Sequence, residues 1–112
     1  MADLSKETEE NINQLQLLEQ SLQNFLIQKQ QFQAQLVEVE SALKELEFAK
    51  ESYKIVGSIM IESKKEDLKK ELESKKEMLT IRIGALEKQE KQIKEKSTKL
   101  QSEVVKKIKE NK

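Results

Sequence analysis

Apolar residues return along the first half of the chain at alternating steps of three and four. The line runs through Leu15, Leu18, Leu22, Phe25, Lys29, Phe32, Leu36, Val39, Leu43 and Leu46, and nine of these ten positions are apolar. Such spacing averages 3.5 residues and keeps one narrow stripe on one side of a helix, which is the pattern of a coiled-coil seam. Lys29 interrupts it. A lone polar seam residue commonly fixes register at some cost in stability. The simpler expectation is that the Lys29 stem lies along the seam with its ammonium in water.

The second half carries a thinner stripe. Leu72, Leu79, Leu86, Ile93 and Leu100 repeat at a strict seven, whereas the companion line alternates apolar Ile83 and Val104 with polar Glu90 and Ser97. A helix with so narrow a stripe needs a partner with a richer one. Its start is expected at Ser63-Lys64-Lys65-Glu66, where a serine hydroxyl and a glutamate carboxylate can satisfy the first unpaired amides. Asp67 adds an acid where the helix dipole favours it. Proline is absent and glycine occurs only at positions 57 and 84, so neither helix meets a strong breaker.

Between the two stripes the period changes. Tyr53, Lys54, Ile55, Val56, Gly57, Ser58, Ile59, Met60, Ile61 and Glu62 form the one stretch rich in β-branched residues and nearly free of charge. Gly57 followed by Ser58 fits a two-residue type II′ turn, because the first central position requires a positive φ. That register pairs Val56 with Ile59 and Ile55 with Met60. One face then carries Tyr53, Ile55 and Met60, the other Val56, Ile59 and Ile61. A lone two-stranded hairpin is barely stable in water and leaves two open edges. The missing strands are expected from other subunits. The alternative, a hairpin folded against the bases of its own helices, asks two slender helices to cover two sheet faces.

The expected fold is therefore mainly α: a long antiparallel two-helix coiled coil with a central β-hairpin. It is read as a single domain over residues 1–112, with a first helix over 1–50, the hairpin over 53–62 and a second helix over 64–111. Each arm is ~65 to 75 Å long at 1.5 Å per residue. Reversal at the hairpin brings both chain ends to one distal tip. There, Leu4, Ile12, Leu15, Leu100, Val104, Val105 and Ile108 are the candidate contacts for apolar surface on other proteins, because coiled-coil ends fray and expose side chains. The plainer reading is that they only close the seam.

Composition and charge narrow the function. Charged residues make up 38% of the chain and aromatics 4%, which suits an extended helical protein better than a globular core. Net charge is zero, so no overall field draws nucleic acid or an anionic membrane. Its distribution is uneven, with three lysines against nine acids up to Ala49 and eighteen basic residues against twelve acids from Lys50 onward. Arms of opposite sign attract. The lysine run Lys64, Lys65, Lys69, Lys70, Lys75 and Lys76 is interleaved with acids and lacks stacking aromatics, so it reads as a solvated face.

With neither cysteine nor histidine, the chain has no disulfide framework and no ordinary zinc, haem or triad constellation. No glycine-rich phosphate loop is present. The expectation is a protein without catalytic residues, metal or cofactor. The N-terminal residues are polar with no apolar h-region, and no apolar run is long enough to cross a bilayer, so a cytoplasmic location is expected.

The order helix, Tyr53 to Ser63, helix closely resembles the β-type subunit of prefoldin, the archaeal and eukaryotic co-chaperone. Gln28 and Lys29, the stretch from Ala42 to Glu47, Tyr53 to Gly57, and Leu86 to Glu90 carry the resemblance, which covers essentially the whole chain. It implies an α2β4 hexamer with α-type subunits and other β-type copies, in which hairpins join into β-barrels and coiled coils hang free. It further implies an ATP-independent holdase that keeps non-native client proteins between its tips and hands them to a group II chaperonin. By position, Tyr53, Ile55, Val56, Gly57, Ile59, Met60 and Ile61 would build the assembly body. A structural coiled-coil scaffold or tether with one dedicated protein partner is the alternative.

Overall fold

A computed structural model describes residues 5–110 of the chain. In chain order these form helix α1 (Lys6–Phe48), strands β1 (Tyr53–Val56) and β2 (Ile59–Glu62), and helix α2 (Lys65–Glu110). They divide into two compact units, one of residues 5–29 and 85–110 and one of Gln30–Gly84.

Helix α1 opens on a cap that the periodicity does not reveal. The Ser5 hydroxyl accepts the Thr8 amide hydrogen at 3.1 Å and shares a 2.8 Å hydrogen bond with the Thr8 hydroxyl. One of the four unpaired amides at the helix start is thereby satisfied. Glu7 and Glu9 in the first turn add favourable charge at the positive end of the dipole.

In the unit of Gln30–Gly84 the helices run antiparallel, since Glu47 lies opposite Lys65 and Phe32 opposite Arg82. Val39, Leu46, Leu79 and Ile83 are buried between them. Phe32, Leu36, Leu43, Leu68 and Leu72 are half-buried beside these four. Leu79 retains only 1% of its surface, and burying a leucine to that extent contributes about 1.5 to 3 kcal/mol. The Arg82 guanidinium stands 5.7 Å from the Phe32 ring centroid, where the face of the ring attracts a cation. The last turn of α1 has no basic residue of its own. Lys65, at the start of α2, supplies one by donating its ammonium to the Glu47 carbonyl at 2.9 Å. An unpaired carbonyl at a negative helix end is satisfied by a cation from the neighbouring helix.

The hairpin belongs to this unit. Its register is the expected one, with Val56 opposite Ile59, Ile55 opposite Met60, Lys54 opposite Ile61 and Tyr53 opposite Glu62. Gly57 has φ of +62° and no other described residue has a positive φ, which matches the glycine-first turn. Ser52 and Ser63 extend the ladder by one pair: the Ser63 amide donates to the Ser52 carbonyl at 2.9 Å and the Ser52 hydroxyl to the Ser63 carbonyl at 2.6 Å. The expected serine cap on α2 is corrected by this arrangement. The helix starts at Lys65, and Ser63 sits two residues earlier with its backbone committed to Ser52.

In the unit of residues 5–29 and 85–110, Glu7 lies opposite Lys107 and Lys29 opposite Glu90, again antiparallel. Leu86, Val104 and Thr8 are buried; Leu15, Leu18, Leu22, Phe25, Ile93 and Leu100 are half-buried. All ten first-arm seam positions are buried or half-buried across the two units. The second expectation to be corrected concerns Lys29. Its ammonium does not end in water but meets the Glu90 carboxylate at 2.9 Å, with only 18% and 14% of the two side chains accessible.

Candidate interaction surfaces

Sequence places alternating apolar residues on both faces of the hairpin, and the fold leaves both faces open. Ile55 is 69% accessible, Met60 65% and Ile59 63%, while Tyr53, Val56 and Ile61 keep about half of their surface in solvent. The hairpin's own helices therefore do not shelter it. Among the described residues, β1 and β2 have only each other as hydrogen-bonding neighbours, so each also has a free edge. Burying six such side chains would contribute on the order of 10 kcal/mol before the costs of association.

Polar contacts hold this surface in place. Lys54 pairs with Glu71 of α2 at 2.8 Å, and the Tyr53 hydroxyl donates to Glu51 at 2.8 Å. The hydrogen bond to Glu51, then desolvation, then the Glu62 charge hold the Tyr53 phenol above its ordinary range. Each disfavours the phenolate.

In the unit of residues 5–29 and 85–110, Val104 is buried, Ile12, Leu15 and Leu100 are half-buried, and Val105 and Ile108 are exposed. Leu4 lies outside the described residues. Thr8 of α1 and Val104 of α2 are both buried in this unit. Val105 and Ile108 are the apolar side chains that the folded pair leaves in solvent among the candidates. Val105 also lines an open groove of about 450 Å³ with Thr98, Gln101 and Lys109.

Glu90 binds two cations. Lys29 reaches one carboxylate oxygen and Lys94, one turn along α2, reaches the other at 3.0 Å. These hydrogen bonds, Lys29 first, hold the Glu90 carboxyl below its usual range. The two charged interruptions of the seams are thus spent on each other. Among the described residues, no helix is long and apolar enough to cross a membrane.

Comparison with known proteins then decides the family. The Prefoldin subunit family profile matches residues 9–111. The chain belongs to the prefoldin family. Prefoldin subunit beta of Archaeoglobus fulgidus is 38% identical over 107 residues, covering 93% of this chain and 92% of that protein. Prefoldin subunit beta of Methanospirillum hungatei is 36% identical, covering 93% and 89%. The crystal structure of the prefoldin beta subunit from Thermococcus strain KS-1 superposes with a TM-score of 0.86 at 34% identity, covering 93% of this chain and 94% of that one. The resemblance to the β type thus holds in sequence and in fold, and the chain is a prefoldin chaperone subunit that assembles with other prefoldin subunits.

Sequence reasoning missed Phe48. It ends α1 with 86% of its surface exposed, beside the hairpin but off the seam line. Its signal was present: an aromatic residue outside a seam, in a chain with 4% aromatics, has no intramolecular core to serve.

Proposed function

We propose that this prefoldin-family chain is a subunit of an ATP-independent holdase of the cytoplasm, acting as one domain over residues 1–112. Its hairpin residues Tyr53, Ile55, Val56, Gly57, Ile59, Met60 and Ile61 join those of α-type subunits and other β-type copies in an α2β4 hexamer. The distal ends bind non-native client proteins and deliver them to a group II chaperonin. Val105 and Ile108 meet client first, and Leu4, Ile12, Leu15, Leu100 and Val104 follow as the last turns fray. Nothing in this work requires catalysis.

The observation that carries this reading is the hairpin with apolar side chains exposed on both faces and both edges free. Such a ribbon gains its stability from neighbours. The test is light scattering of a heat-denatured protein mixed with the complex of this chain and an α-type subunit. Suppression at near-equimolar complex is expected, and scattering that rises unchanged would overturn the holdase role. A tether with one dedicated partner is favoured by the burial of Thr8 and Val104. Removing both tips separates the two: client capture falls while assembly survives for a holdase, and neither changes for a tether.

A further inference from the structure

Resting on the reading of the hairpin as assembly surface, we infer that a cleft at the hairpin's foot receives apolar side chains from the hairpin of a neighbouring prefoldin subunit. The cleft has a volume of about 380 Å³. Leu46, Leu68 and Leu72, where the seam of this unit ends, line it together with Phe48 and Tyr53. Phe48 is 86% exposed and Tyr53 49%, so the chain's own residues leave both rings largely uncovered.

Three hydrogen bonds at the hairpin's foot frame the cleft. Ser52 and Ser63 clamp the hairpin base through two hydrogen bonds, and the Lys65 bond to the Glu47 carbonyl ties the end of α1 to the start of α2. A preformed site loses little freedom on binding. Its occupant follows from continuity with the sheet. β1 pairs with β2 on one side only, and Tyr53, the first residue of β1, is both the end of the free edge and part of the cleft lining. A strand that adds to this edge carries its terminal side chains to the cleft. When the neighbour is another copy of this chain, Ile59, Met60 and Ile61 are of the right chemistry. A neighbour's ring or aliphatic chain seated between Phe48 and Tyr53 would account for both exposed aromatics with one contact.

The chain has no cysteine, so Phe48→Cys carries a unique thiol for a benzophenone maleimide. In the complex with an α-type subunit, irradiation is expected to link this position to the hairpin of an adjacent subunit, mapped by peptide mass spectrometry. Links only within the same chain, or links that form only after denatured client is added, would overturn the inference. Independently, Phe48→Lys is expected to weaken assembly about tenfold or more in sedimentation velocity, the scale of a central interface residue. Val37→Lys, also exposed but away from the hairpin, should stay within about twofold. Equal assembly of the two variants would sink the cleft. The double variant Ile59→Lys/Ile61→Lys keeps the readings apart. If it assembles normally, the hairpin reading fails; if it does not assemble while Phe48→Lys does, only the cleft is wrong.

Discussion

Two regions of this molecule break the same rule in opposite directions. At Lys29 and Glu90, charges lie half-buried in a seam where apolar residues belong. In the hairpin, isoleucine, valine and methionine stand in solvent where polar residues belong. The first departure is balanced inside the chain, because each charged seam residue finds the other and Lys94 satisfies the second Glu90 oxygen. Nothing among the described residues balances the second. A departure closed internally serves the chain's own structure, here the register of two helices, whereas one left open calls for another molecule.

The sharpest way to break this comparison is to place charge on the open side. Ile59→Lys/Ile61→Lys is expected to abolish assembly with an α-type subunit at micromolar concentrations in sedimentation velocity. Helical circular dichroism of the isolated chain should stay unchanged, because neither side chain is part of a core. A fall in helicity would mean that the hairpin supports the helices after all.

Next in size is the seam itself. Leu79→Ala removes a side chain that is 1% accessible and should cost about 2 to 4 kcal/mol in urea unfolding. A cost below ~1 kcal/mol would show that the helices do not depend on this contact.

A smaller effect is expected at the internal charge pair. Glu90→Gln leaves Lys29 partly desolvated without a counter-charge and should lower the thermal midpoint by a few degrees, less than Leu79→Ala. Its sign with pH follows from the depressed carboxyl. A folded-state pKa below the unfolded one gives stability that is fully present above the ordinary carboxylate range and lost as pH falls through the lowered value. The wild-type chain should therefore lose more stability on acidification than Glu90→Gln. Parallel pH curves would remove the pair from the account. Smallest of all, Val37→Ala and Ile81→Ser, exposed and off the seam, should change stability by no more than about 0.5 kcal/mol.

Much of this architecture was legible from period alone. Steps of three and four identified the first-arm seam from Leu15 to Leu46, though not buried Thr8, and a switch to β-branched residues around Gly57-Ser58 identified the hairpin and its register. Local signals failed where a tertiary partner competed. Ser63 looks like a helix cap, yet the hairpin ladder claims its backbone. Lys29 looks able to reach water, yet Glu90 is nearer. That pairing could have been found by asking whether the two charged interruptions meet when the chain is folded back at Gly57. Near the end of α2 the period put Val104 on the seam line and left Val105 off it, and the structure has Val104 buried and Val105 exposed, because neighbours in sequence differ by 100° around a helix.

By itself, then, the order of residues determined the elements, the turn and the identity of the seam, since each depends on spacing within a few turns of chain. The tertiary structure alone decided which seam charge meets which and which carbonyl Lys65 satisfies. Those outcomes depend on groups far apart in sequence competing for the same space, and a one-dimensional pattern carries no measure of that competition.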